Sequence, residues 1–135
     1  MLPHLTLEPS LGALDPNIRS LVQATNSLGI KTYWSCEGHE SASMIQSPVP
    51  CVVMDYRSSN KKGFGTLILS VGSLNEEHLG ELDWQFLPRY RVGNGSPFLA
   101  LSPRYYSSQL PTILAQRQRE AQQLAEIIIE MKLRS

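Results

Sequence analysis

The chain has 135 residues, with 12 basic side chains balanced by 12 acidic ones for a formal net charge of zero at pH 7. That length fits one domain spanning 1–135, and 41% hydrophobic with 18% charged residues is the composition of a globular chain. Zero net charge provides no global field to gather nucleic acid or an anionic membrane, which argues against both as partners, and it does little to keep copies of the chain apart.

Met1-Leu2-Pro3-His4-Leu5 lacks the basic stretch and apolar core of a secretory leader. No apolar run approaches the ~18 residues that a membrane-spanning helix needs. A cytoplasmic, reduced setting is therefore expected. Two cysteines, Cys36 and Cys51, make neither a disulfide framework nor a four-cysteine zinc site. A single bridge would require two neighbouring strands to carry them side by side.

Residues 1–14, with scattered Leu and Pro, read as an extended lead-in. Asp15-Pro16 then marks a helix start, since Asp can cap exposed N–H groups and Pro fits the first helical position. Ile18, Leu21, Val22, Thr25 and Leu28 recur at helical spacing, and Gly29 supplies a left-handed stop, which predicts a helix over 15–28. Ile30 to Cys36 sets Ile30, Thr32, Trp34 and Cys36 against Lys31, Tyr33 and Ser35. This period of two predicts a strand with Trp34 and Cys36 facing inward. After a Ser- and Pro-containing loop over 37–50, Cys51 to Tyr56 reads as a second strand, and the pair is expected to run antiparallel.

Phe64, Leu67, Ile68 and Val71 recur at i, i+3, i+4 and i+7. That spacing favours a short helix, although Thr66-Leu67-Ile68-Leu69 has strand propensity. Leu82 to Val92 predicts a third strand, broken or bulged at Pro88, and Phe98 to Leu101 a fourth, with Gly93-Asn94-Gly95 as the turn between them. A long helix is expected from Pro111 to about Arg134. Its inward face would carry Leu110, Ile113, Leu114, Arg117, Ala121, Leu124, Ala125, Ile128 and Met131, with Ile127 and Ile129 widening it. Gln116, Arg119, Glu120, Gln123, Glu126 and Glu130 would stay outside. Such a helix exceeds ~30 Å, longer than a four-stranded sheet needs as cover, so its end is expected to pack on a second copy. The order α-β-β-α-β-β-α predicts an α+β fold, an antiparallel sheet of about four strands covered on one face by helices.

Chemistry concentrates in Ser35-Cys36-Glu37-Gly38-His39, where a strand opens into a polar loop. Cys36 and His39 could share a metal, but zinc needs about four ligands. The remaining donors, Cys51, His4, His78 and scattered carboxylates, form no second close pair. Neither a metal nor a cofactor is expected. A Cys36–His39 dyad oriented by Glu37 or Asp55 would suit nucleophilic catalysis. Groups three apart in one turn rarely align for that, however, and an inward thiol is inert. Arg57, Lys61 and Lys62 with Tyr56 and Phe64, and Arg89, Tyr90, Arg91, Arg104, Tyr105 and Tyr106, interleave aromatics and cations as single-strand binders do, but without the net charge. Gly63-x-Gly65 is too short for a phosphate loop.

The stretch Leu28-Gly29-Ile30-Lys31-Thr32-Tyr33-Trp34-Ser35-Cys36-Glu37-Gly38-His39, followed by Pro50-Cys51-Val52-Val53-Met54, resembles a pattern in small bacterial and mobile-element proteins. It consists of a helix ending in Gly, a strand reading T-x-x-S-C-E-G, a loop His and a Pro-led strand. Many of those proteins carry extra residues between the Gly and the His, whereas His39 follows Gly38 directly. The resemblance covers about 30 residues and implies no settled activity.

The sequence thus favours a small homodimeric protein that binds a polar small molecule or a protein partner at the loop after its first strand. Ser35, Glu37 and His39 would offer hydrogen bonds or charge, Cys36 and Gly38 would shape the turn, and Asp55 and Arg57 would converge on the same ligand. The alternative is an enzyme using His39 as acid or base with Glu37 or Cys36 assisting. A third reading is a structural or interaction protein that acts through its C-terminal helix.

Overall fold

The computed structural model describes residues 15–38, 49–57, 59–77, 83–90, 97–104 and 113–134. They form α1 (Pro16–Ser27), β1 (Lys31–Cys36), β2 (Cys51–Asp55), α2 (Lys61–Glu77), β3 (Trp84–Tyr90), β4 (Pro97–Pro103) and α3 (Leu114–Arg134). The expected element order and α+β class hold. The lead-in over 1–14, most of the 37–50 loop, His39 and the Gly93-Asn94-Gly95 turn lie outside the described residues.

One antiparallel sheet in the order β1-β2-β4-β3 organises the molecule. All five residues of the inner strand β2 are buried, as expected of a strand with both faces covered. Val52, Met54 and Leu101 face the helices and share a core with Ile18, Leu21 and Val22 of α1, Phe64, Leu67, Val71 and Leu74 of α2, and Leu124 and Ile128 of α3. Cys51, Val53, Phe98 and Ala100 form a second cluster on the opposite face, joined by Tyr33, Trp34 and Leu87. Tyr33 meets Phe98 edge-on at 5.0 Å.

The 64–71 segment is helical and longer than its apolar spacing predicts, because its start is set by a cap. Asn60 Oδ1 accepts the N–H groups of Lys62 at 2.9 Å and Gly63 at 3.1 Å, satisfying donors that the first turn leaves open. Gly29 adopts φ +79 as the left-handed stop after α1, and its carbonyl accepts the Asn60 N–H at 3.0 Å. The end of α1 and the start of α2 are thereby tied together. At the far end of α2, the Asn75 side chain pairs with both the N–H and the C=O of Trp84, at 2.9 and 3.0 Å.

Two expectations for the strands need correction. Pro88 neither breaks nor bulges β3, because it stays in register opposite Leu99. β3 is an edge strand, where a missing N–H can face away from the ladder. In β1 the alternation fails instead, since register shifts between Thr32 and Trp34. A bulge inserts one residue and reverses the faces beyond it. Thr32 lies opposite Met54 and donates to Asn26 Oδ1 of α1 at 3.2 Å. Trp34 lies opposite Val53 in the second cluster. Cys36 is buried as expected, but on the face away from the helices.

Candidate functional site

β1 ends where the N-termini of α1 and α3 come together, and Glu37 joins all three elements. Asp15 was expected to cap α1, yet its side chain makes no capping hydrogen bond there. The cap comes from 20 residues further along: the Asn17 N–H donates to Glu37 Oε1 at 3.1 Å. In return the Glu37 N–H donates to Asp15 Oδ2 at 3.4 Å. Gln118 Nε2 of α3 donates to the Glu37 carbonyl at 3.1 Å. A carboxylate at a helix N-terminus meets both open N–H groups and the positive end of the dipole.

Gly38 completes this stem. Its φ is +95, and a Cβ there would stand 2.7 Å from Leu114 Cδ1 and 3.0 Å from the Val49 carbonyl carbon. The left-handed backbone and the close approach both require glycine. Ser35 lies opposite Val52, and its Oγ is buried with no hydrogen-bond partner. Replacing Glu37 with alanine should lower stability by about 1 kcal/mol, the usual value of a helix N-cap, as read from a urea unfolding midpoint. A cost indistinguishable from zero would mean that water replaces the carboxylate on α1.

Of the residues that the sequence singles out, Ser35, Cys36 and Glu37 sit together at this stem, and His39 lies outside the described residues. Asp55 and Arg57 do not join them. Asp55 is opposite Lys31 and Cys36 is opposite Cys51, so they stand at opposite ends of the β1–β2 ladder, with Asp55 four residues along β2 from Cys51, roughly 13 Å at ~3.3 Å per residue. Asp55 is buried and committed locally: its carboxylate accepts the Tyr33 hydroxyl at 3.2 Å and the Arg57 N–H at 2.9 Å, while its carbonyl accepts Ser59 Oγ. That arrangement folds the chain back after β2 as an Asx-type turn.

The polar cluster that sequence reasoning misplaced is on α3. Glu120, expected on the outer face, is 2% exposed. Arg117 Nη1 donates to its two oxygens at 2.7 and 2.8 Å. Trp84 Nε1 of β3 adds a bond at 2.9 Å, and Gln116 Nε2 one at 3.2 Å. Arg117 within an apolar stripe was the available signal, because a buried guanidinium needs a counter-ion and a glutamate three residues on can reach it. Every strong acceptor direction of the carboxylate is occupied, so the cluster fastens α3 to the end of β3.

No family model, curated protein or solved structure matches this chain. The stem fixes where the 37–50 connection leaves and rejoins the sheet. Among the described residues no group of three or more His, Cys, Asp or Glu side chains is placed to hold a metal ion, and no helix is long and apolar enough to cross a membrane.

Proposed function

We propose that the chain is a binding protein that receives a polar small molecule or a protein segment on the 37–50 connection, next to the end of β1. The observation that carries this reading is the locked stem. β1 and β2 pair up to Cys36 and Cys51, yet they are joined through 37–50, well beyond the about two to five residues of an ordinary hairpin loop. Three hydrogen bonds from α1 and α3 hold Glu37 at its base. Long connections on rigid supports commonly carry recognition, and a fixed base lowers the ordering cost of binding. The Glu37 side chain serves to fix the stem, which leaves His39 and Glu40 as the charged and titratable groups to present.

A thermal-shift panel of amino acids, carboxylic acids, amides and nucleosides tests this reading. A ligand at ~100 times its Kd adds about 2.7 kcal/mol, a rise of several degrees for a chain of this size. The shift should vanish in a His39→Ala/Glu40→Ala variant whose unliganded Tm is unchanged. A panel without any shift, or a shift that survives the double change, would overturn the reading.

A second reading has its own observation. Ser20, Gln23 and Ala24 of α1 with Gln122, Ala125, Glu126, Ile129, Glu130 and Leu133 of α3 line a groove of about 580 Å³. Ile129 is 43% and Leu133 82% exposed. An antiparallel pairing of two α3 helices about Ile129 sets each Leu133 on the small Ala125 of the other copy, and each Glu126 beside the other Lys132. This pattern is self-complementary, as a two-fold contact requires. Light scattering should report a dimer for the native chain and a monomer for Leu133→Asp. A native chain that is monomeric at all concentrations would end this reading. Truncation after Gln122 is a poorer test, since it deletes Leu124, Ala125 and Ile128 from the core.

A further inference from the structure

Cys36, the last residue of β1, and Cys51, the first of β2, lie directly opposite each other at the end of the ladder. Directly opposed residues of an antiparallel pair project to the same face, with Cα atoms about 4.5 or 5.5 Å apart according to the type of rung. Both values fall inside the ~4.4–6.8 Å range that a disulfide spans. Both cysteines are in the thiol form, not bridged, and buried at 3% and 5% exposure. This rung is also the base of the 37–50 connection, beside the locked Glu37-Gly38 stem.

We propose that Cys36 and Cys51 form a reversible modification site, an intrachain disulfide that staples the base of the 37–50 connection when the chain meets hydrogen peroxide. One thiolate attacks the peroxide oxygen and becomes a sulfenic acid, releasing water. The facing thiol then attacks that sulfur, forming the S–S bond and releasing a second water. Two thiols are oxidised by two electrons in all, and one peroxide is reduced to two waters. The facing sulfur is already in place, so the second step outruns further oxidation of the sulfenic acid. Burial makes the first step slow and favours a small oxidant over a bulky disulfide. The bond forms whether or not the connection binds a ligand, so its test stands apart from the ligand panel.

The full native chain is treated with hydrogen peroxide, quenched and measured by intact mass and peptide mapping. The expected result is a monomer lighter by two hydrogens, a cross-linked peptide pair holding Cys36 and Cys51, loss of both free thiols, and full reversal by dithiothreitol. Amide hydrogen exchange over 37–50 should slow in the oxidised chain, and peroxide should leave that exchange unchanged in a Cys36→Ser/Cys51→Ser variant. Three results would overturn the proposal: oxygen added to either cysteine without a cross-link, only intermolecular dimers, or thiols untouched under conditions that oxidise the guanidinium-unfolded chain.

Discussion

Glu120→Ala is expected to lower folding stability by about 3–5 kcal/mol, the cost of leaving one member of a buried ion pair without its partner. Arg117 is 3% exposed, so its charge would have to stay buried or pull into water at the expense of the α3 packing. Trp84 Nε1 and Gln116 Nε2 would lose their acceptor as well. For a domain held by ~5–15 kcal/mol, that is a large share. The urea midpoint should fall steeply, with the slope of the transition preserved. An Arg117→Met/Glu120→Leu double change should cost clearly less than the single one, because it removes both charges and leaves chiefly the Trp84 N–H unpaired. If Glu120→Ala costs under ~1 kcal/mol, or the double change costs more than the single, the cluster is not a desolvated fastening.

Gly63→Ala is expected to be comparably severe, at roughly 3 kcal/mol or more, towards the upper end of overpacking changes. A Cβ at Gly63 would stand 2.0 Å from the Leu28 carbonyl oxygen and 3.0 Å from its carbonyl carbon. Both are backbone atoms, so no rotamer change can relieve the clash. Leu28 is the C-cap of α1, and Gly63 lies in the first turn of α2. The two helix ends are also joined by the Asn60 N–H to Gly29 carbonyl bond. Separating them would strain that bond and the Asn60 cap together. Gly65, in the same helix and with open space around its Cβ position, is the matched control. Gly65→Ala should raise stability by about 0.5–1 kcal/mol through helix propensity alone. Equal effects at the two glycines would rule out the close approach as the cause.

The contrast between these glycines shows where sequence reading stops. Both sit in the same helical stretch, and nothing within four residues tells them apart. Only the arrival of α1 from more than 30 residues earlier makes one irreplaceable. The same division runs through the candidate site. Cys36 was correctly read as buried and Gly38 as a residue that shapes the turn, because strand alternation and loop chemistry are local. The role of Glu37 was hidden, because the N–H that it accepts belongs to Asn17 and the side chain on its carbonyl belongs to Gln118, 81 residues away. Asp55 and Arg57 looked like neighbours of the loop because they follow it closely in the chain. Antiparallel pairing carries them to the far end of β1.

What the chain's own order of residues settles is therefore the element sequence, the α+β class and the stop at Gly29, while the 64–71 stretch, read from spacing as helix over strand, is fixed as helix by the structure. The first three depend on spacings of two to four residues and on the backbone freedom of single positions. The tertiary structure alone decides that Tyr33 is bulged, that Pro88 lies on an edge strand, that Glu120 is buried against Arg117 and Trp84, and that Cys36 faces Cys51. Each of these depends on strand register or on which helix covers which strand. Register and packing come from matching surfaces distant in sequence, and no periodicity within one element records the partner that it will meet.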